Sequence, residues 1–514
     1  MSSLFARKPL ARLLEEARDD RLRRVLGPVQ LTNLGVGAII GAGIFVSTGA
    51  IARQTTGPAL MLSHVVAGIV CIFAALCYAE FASMAPVAGS AYTYAYATLG
   101  ELPAWIIGWD LVLEYAVSSA TVASGWSGYF QNLLGAAGLH LPPALAGPVV
   151  QYDPNLGRLV ATGALINLPA LVIVALVTTV LVVGIRESAG FNAVLVAIKV
   201  AAVVFVIVVG AFYVDPANWR PFAPYGYSGL ALFGHALFGT ADAGGRPLGM
   251  LAGAALAFFS YIGFDSVSTH SEEARRPQRD VPLAILVSLV LCTSLYIGVV
   301  AVLTGMVPSR ELDVAAPVAD AFGRVGLRWA QVLIAAAGIA GITSVLLVNM
   351  LSQARVLLAI ARDGLLPERF FGEVHKRFRT PWKSTIATGV FVAALAALLP
   401  IDVLLTLVSM GTLLAFLMVC AAVLVMRRTH PEAERPFRAP FVPLVPVLGI
   451  LSCLLLMFSL PGETWVRLVV WLGLGFAIYF GYGRRRSLVG KDAREGTRAT
   501  PRRGPIAMTG PAAD

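Results

Sequence analysis

Three ionisable residues lie inside long apolar runs of this chain: Glu114 in "GWDLVLEYAV", Lys199 in "FNAVLVAIKVAAVVFV" and Asp265 in "FFSYIGFDSVST". An ionisable side chain in hydrocarbon costs about 2.5–3.5 kcal/mol on insertion scales. Such groups therefore mark ion pathways, proton relays or counter-charges for a ligand. A second oddity accompanies them. "LTNLGVGAIIGAGIFVSTGAIA", Leu31 to Ala52, carries Gly35, Gly37, Gly41, Gly43 and Gly49 in an otherwise mostly apolar stretch. Glycine weakens helices, yet in a membrane every backbone polar group must be paired. A helix interrupted at Gly41-Ala42-Gly43 offers N–H donors at one stub and C=O acceptors at the other. "SYIGFD" places Gly263 and Asp265 in the same kind of interruption. Two such stubs suit a small ligand that carries both an anion and a cation.

The elements that must position these groups follow from composition. The 514 residues are 57% hydrophobic and only 13% charged, with a mean hydropathy of +0.77. Soluble domains carry about 25% charged residues. The pattern is that of a polytopic helical membrane protein, with apolar spans near 30–53, 60–84, 102–134, 159–184, 189–213, 250–273, 281–306, 329–360, 382–400, 402–426, 441–460 and 464–482. Residues 1–29 form a charged, amphipathic cytosolic segment with no signal-peptide core, and 483–514 a basic tail expected to be disordered. The chain divides into 30–213, 250–426 and 441–482: a first set of five helices, a second set of five, and two more.

With the N-terminus inside, roughly three quarters of the 39 lysines and arginines fall on the inner side. Both termini are thus expected in the cytosol of a cell whose cytoplasmic (inner) membrane the chain crosses. The net charge of +10 is accounted for by cytosol and anionic lipid, with no nucleic-acid partner. All five cysteines lie in apolar spans, which argues against disulfides and against a metal site.

At about 1.5 Å per residue, Glu114 lies roughly 18 Å from the inner end of its span, Lys199 roughly 15 Å, Gly41 roughly 16 Å and Gly263 roughly 15 Å. A glutamate, a lysine and two glycine-rich points share one depth near the midplane. Interruptions in the first and sixth spans match two inverted five-helix repeats with a ligand between the broken helices. Close helix packing through Gly37-x-x-x-Gly41 is the competing explanation. A dinucleotide loop is excluded, because the third glycine and the ribose-binding acid are missing between Arg21 and Ala79. No H-E-x-x-H or nucleophile cluster supports an intramembrane enzyme, and no filter sequence supports a channel.

"GVGAIIGAGIFVSTG", "GWDLVLEY", "IKVAAVVFVIVVG", "FFSYIGFDSVSTHSEEARRPQRDVP" and "TSVLLVNMLSQARVLLAIARDGLLP" together resemble the cationic amino acid transporter branch of the amino acid–polyamine–organocation superfamily, over roughly residues 28–482. The resemblance implies an all-α LeuT-type fold with twelve transmembrane helices, helices 1 and 6 being broken at the midplane. It implies alternating-access transport of L-amino acids as a permease, with no cofactor. By the same resemblance the substrate carboxylate meets the amides of Ala42 and Gly43, beside Gly41. The substrate ammonium meets carbonyls at Ile39, Phe259, Ser260 and Ile262.

Lys199 matches the lysine that stands where sodium-coupled relatives hold a cation. A fixed ammonium there removes the need for sodium, and its deprotonation during the cycle makes the protein a proton symporter. A static Glu114–Lys199 ion pair is the alternative. Asp265 is either a helix cap or a third member of the coupling set. Ala42 departs from the hydroxyl residue common in the family, and Ser260 stands where alanine is common. Both bear on substrate preference, which the small and apolar site residues tilt toward a neutral amino acid. Glu80 with Glu272, Glu273, Arg275, Arg276 and Arg279 forms an expected cytoplasmic gate. His64 and His270 are read as packed or interfacial, and "SRELDVAAPVADAFGRVG", Ser309 to Gly326, as an outer loop with helical periodicity. An exchanger, a non-transporting amino acid sensor and an additional small membrane-protein subunit stay open at this stage.

Overall fold

The computed structural model describes residues 3–8, 26–84, 90–153, 155–184, 189–232, 235–269, 274–312 and 315–491. Most of the amphipathic N-terminal segment, most of the basic tail, His270, Glu272 and Glu273 lie outside the described residues. Among the described residues, seven helices are long and apolar enough to cross a membrane, and four shorter apolar helices accompany them. The protein is a multi-pass helical membrane protein.

The first apolar run, Pro28–Met84, is 57 residues long and far exceeds one crossing. It is subdivided. Helix α1, Pro28–Ile39, starts where Pro28 needs no N–H partner and Gly27 N donates to Gln30 Oε1 at 3.0 Å. Regular helix stops at Ile39, because Ile40 takes an extended backbone (ψ 104°). A wide turn, Gly43–Ser47, then leads into the short α2, Thr48–Ile51. Gly57 reverses the chain at φ +63°, where a Cβ would lie 2.5 Å from Pro224 Cγ. Helix α3, Leu60–Met84, runs back.

Next come α4, Ser90–Thr98, the long α5, Glu101–Ala136, α6, Leu168–Val183, and α7, Ala189–Gly210. The expected span at 159–184 starts late. Its first residues form the antiparallel hairpin β1, Val150–Asp153, with β2, Arg158–Ala161, and Asn167 caps α6 by accepting from Ala170 N. Two small hairpins, β3 (Leu230–Leu232) with β4 (His235–Phe238) and β5 (Thr240–Ala241) with β6 (Pro247–Leu248), precede α8, Met250–Ala257. A 3-10 turn, Phe258–Tyr261, follows, then Gly263 at φ +115° and α9, Ser266–Thr269.

The remaining helices are α10 (Pro277–Met306), α11 (Pro317–Arg324), α12 (Arg328–Arg362), α13 (Glu368–Phe371), α14 (Trp382–Leu398), α15 (Ile401–Thr429), α16 (Leu444–Met457) and α17 (Gly462–Ile478). Helix α11 falls in the loop read as helical from its periodicity and buries Val318 and Phe322.

The packing follows a rule. Helix α5 lies chiefly against α12, α3 against α10, and α6 against α14, while the Gly43–Ser47 turn meets the Phe258–Tyr261 turn. The outward face is apolar: Val172, Leu176, Val180 and Val183 of α6 form an exposed stripe at helical spacing. Such a surface is stable in lipid, where hydrocarbon takes the place of water.

Candidate functional site

The end of α1 and the turn after α8 meet in a near-contact of backbones. A Cβ on Gly43 would fall 2.4 Å from Ser260 Cα, and one on Gly263 would fall 2.8 Å from Ala38 O. Glycine is required at both positions, and Gly263 also holds a positive φ. The Ser47 hydroxyl donates to Gly43 O and lies 3.4 Å from the Ser260 hydroxyl. Ile39, Gly41, Ala42, Gly43, Phe259, Ser260 and Ile262 are therefore brought together, and all are buried.

The carbonyls there are partly occupied. The Tyr296 hydroxyl lies 2.8 Å from Ile39 O and 2.9 Å from Ser260 O, sharing its proton between them. Phe259 O accepts from Ile262 N at 3.2 Å. On the opposite side, the segment beginning at Ala42 presents the first N–H groups of a helical stub.

Lys199 is buried and its ammonium donates to Gly37 O at 2.8 Å. Gly37 is in the last turn of α1, where carbonyls lack intrahelical partners and the helix dipole is negative. The lysine stem packs on Gly341 of α12. The alternative raised from the sequence, a static Glu114–Lys199 ion pair, is not seen: among the described residues no ion pair joins the two. Glu114 turns instead toward Thr412 of α15, within electrostatic reach of Asp265 and Asp110. Tyr115 donates to Asp265 Oδ2 at 3.3 Å, and Asp265 O receives the Ser268 amide at 2.9 Å. The physical reason is angular: a residue at a shared depth still faces only one side of its helix, and Glu114 faces α15.

Asp110 escaped the sequence reading. It is wholly buried one helical turn before Glu114, and neither carboxylate oxygen has a hydrogen-bond partner among the described residues. Its i, i+4 spacing to Glu114 in "GWDLVLEY" was the available signal.

Glu80, expected in a cytoplasmic gate, has partners among the described residues that the sequence reading did not name. Arg427 Nε and Nη2 donate to its two oxygens at 2.9 and 2.7 Å, Arg435 lies at 3.4 Å, and Ala439 N donates at 2.8 Å. Glu80 thus fastens the end of α15 and the loop after it to α3. The Arg275 backbone N–H donates to Leu26 O at 2.8 Å, and Arg276 and Arg279 are exposed. His64 is packed between the rings of Tyr261 and Tyr296, as a core residue would be.

At the opposite end of the bundle lies a network no spacing announced. The Arg246 guanidinium stacks 3.1 Å above the Tyr152 ring centroid and bonds Asp402 at 3.2 Å and Glu463 at 3.1 Å. Tyr152 donates to Asp242 Oδ2 at 2.7 Å. Beneath it a cavity of about 50 Å³ reaches Ala50, Thr55, Ala252 and Thr406; above it a cavity of about 230 Å³ is lined by Gln54, Gln131, Gln151 and Asn167. Tyr152 and Asp402 border both.

With this geometry in place, the comparisons with known proteins agree. The family model described as amino acid permease matches residues 26–478. The chain is 45% identical to the methylthioribose transporter of Bacillus subtilis (strain 168), over 96% of this chain and 100% of that protein. It is 44% identical to the branched-chain amino acid permease BcaP of the same organism, over 94% of this chain and 98% of that protein. To cationic amino acid transporter 4 of Homo sapiens it is 31% identical, over 93% of this chain and 90% of that protein.

Proposed function

This chain belongs to the amino acid permease family, and from that premise we propose that it is a proton-coupled secondary transporter of L-amino acids. In this reading it crosses the cytoplasmic membrane twelve times, Pro28–Met84 counting as two crossings, with both termini in the cytosol and the fold of two inverted five-helix repeats plus two helices. Support comes from the packing of α5 on α12, α3 on α10 and α6 on α14, each helix against its counterpart five crossings later.

The observation that carries the mechanism is the meeting of the two interrupted segments at Gly43 and Ser260, with the Lys199 ammonium on Gly37 O behind them. The amides of Ala42 and Gly43 hold the substrate carboxylate. Its ammonium takes over the carbonyls of Ile39 and Ser260 from the Tyr296 hydroxyl. Lys199 neutralises the negative end of α1 in place of a metal cation and gives up its proton in the cycle, while Glu114 and Asp265 form a separate acidic group facing α15. Glu80, tied to Arg427 and Arg435, closes the cytosolic end from the α3 side.

The substrate is a neutral amino acid. Small, apolar site residues and the 44% identity to a branched-chain amino acid permease favour it. The similar methylthioribose transporter motivates a second candidate, a thiosugar with no α-ammonium or carboxylate. Uptake of labelled leucine into proteoliposomes, with and without an inward proton gradient, tests the proposal when competed by the twenty amino acids and by methylthioribose. Leucine uptake driven by the gradient supports it. Competition by methylthioribose alone, or gradient-independent flux, overturns it.

A further inference from the structure

We propose that the cytosolic ends of α12 and α17 form a binding site for the phosphate-bearing headgroup of an anionic phospholipid; the assignment to the cytosolic side rests on the orientation proposed above. A cavity of about 400 Å³ is lined there by Arg362, Arg369, Arg486 and Lys491, with Glu368 the one acidic member of the lining. The cations come from chain segments more than a hundred residues apart. Backbone bonds pin those segments together: Leu488 N donates to Asp363 O at 3.2 Å, and Gly364, at φ +81°, lets Arg486 O approach to within what would be 2.5 Å of a Cβ.

Nearby acids do not neutralise the cavity. Asp363 is engaged by the Lys8 ammonium at 3.2 Å and the Tyr92 hydroxyl at 2.7 Å. Glu101 receives Tyr479, Tyr96 and Ser487. None of the four lining cations makes an ion pair among the described residues. Arg486 rests over the Tyr482 ring, which holds it at 5.1 Å and leaves its donors to the cavity. A planar guanidinium fork matches the oxygens of a phosphodiester.

Position selects the source of that phosphate. The cavity lies at the end of α12 and of the helical run Gly462–Arg486, which continues α17 through Tyr479–Gly483 and Arg484–Arg486. Both are apolar and long enough to span the bilayer, and Phe370, Phe480 and Leu488 are exposed in the neighbouring segments as seats for acyl chains. Basic pockets at the cytoplasmic ends of membrane helices favour lipid headgroups on these grounds.

The test is lipid retention, which does not depend on uptake and so fails separately from the transport reading. The full chain, purified in detergent after exposure to equal amounts of phosphatidylglycerol and phosphatidylcholine, is analysed by native mass spectrometry. Phosphatidylglycerol should remain on the wild type, and the R362Q/R369Q/R486Q variant should lose it by about tenfold. The K376Q/R377Q variant, which changes exposed cations outside the cavity, should retain it. Millimolar inorganic phosphate should not displace it. Equal retention by the triple variant, equal loss in the control, or displacement by inorganic phosphate overturns the proposal. A monodisperse elution profile and wild-type melting temperature of the triple variant separate loss of the site from misfolding.

Discussion

Lys199 donates its ammonium to the carbonyl of Gly37 across 2.8 Å, joining α7 to the end of α1 from a wholly buried position. The bond sets the Lys199 ammonium against the carbonyl end of α1, five residues before Ala42 in the chain. In the proposed mechanism this is the link between proton transfer at Lys199 and the substrate carboxylate.

The first prediction concerns that bond. A hydrogen bond from a charged donor contributes about 1.5–3 kcal/mol, and its loss leaves the Gly37 carbonyl without a partner. Lys199→Ala should lower gradient-driven uptake by about tenfold to a hundredfold and abolish its response to pH. Lys199→Arg should not rescue it, because the stem packs 3.2 Å from where a Cβ of Gly341 would lie and the guanidinium is larger and not readily deprotonated. Proteoliposome uptake at several external pH values measures both. Proton-dependent uptake by the alanine variant would remove Lys199 from the coupling mechanism.

Gly43 supplies a steric prediction. Because its added Cβ would meet the backbone of Ser260 at 2.4 Å, rotamer changes cannot relieve the clash. Gly43→Ala should cost about 1–3 kcal/mol by overpacking and abolish uptake with expression retained. Gly135→Ala, where nothing lies within 4 Å, should transport as the wild type does. Equal uptake by the two variants would mean that the contact opens freely in the cycle.

The Tyr296 hydroxyl is shared between Ile39 O and Ser260 O, the carbonyls proposed to receive the substrate ammonium. Tyr296→Phe leaves Ile39 O and Ser260 O short of a donor, at about 1–3 kcal/mol. The empty variant should melt at a lower temperature than the wild type, and a transported amino acid should raise its melting temperature by more. Thermal-shift curves with and without substrate read this directly. An equal ligand-induced shift in both proteins would place the ammonium elsewhere.

What could be read from the chain before its fold divides along a physical line. Glycine runs, apolar period and buried charges are local properties, so interruptions at Gly41–Gly43 and at Gly263 were legible, and Gly43 does approach Ser260. Facing was not. Depth along a helix does not fix its rotation, and so a Glu114–Lys199 pair stood open as an alternative, whereas Glu114 turns to α15 beside Asp265. Nor could local pattern show that Arg427, at the end of α15, and Arg435, in the loop after it, reach Glu80 from some 350 residues on. The Arg246 network joins four distant segments, and no local pattern encodes it.

Asp110 combines a stability and a function prediction. A buried polar group with no partner costs about 1–3 kcal/mol. Asp110→Leu removes that cost and should raise the melting temperature. It also removes a carboxylate within reach of Glu114, and gradient-driven uptake should fall. Measured together, a rise in stability with a loss of coupling identifies Asp110 as retained for function. Unchanged uptake would make it a tolerated defect.

The Arg246 network, on the outer side in the proposed orientation, yields the last prediction. Arg246 is engaged at once by the Tyr152 ring, Asp402 and Glu463, so it ties the hairpin ahead of α6 and the segment ahead of α8 to the starts of α15 and α17. Arg246 lines the 50 Å³ cavity, which reaches Thr406, and its partners Tyr152 and Asp402 also border the 230 Å³ cavity. If the network holds this entrance shut, weakening it must expose Thr406 to the outside. All five native cysteines are buried, so Thr406→Cys provides one accessible reporter. In that background, Arg246→Gln and Asp402→Asn should each speed labelling by a membrane-impermeant thiol reagent about tenfold, the value of roughly 1.4 kcal/mol of lost closure. Arg246→Lys should resemble Arg246→Gln, since an ammonium loses both the flat stacking on Tyr152 and the forked bonds to two carboxylates. Labelling rates that match the unmodified network would make Arg246 a static brace, with the entrance opening elsewhere.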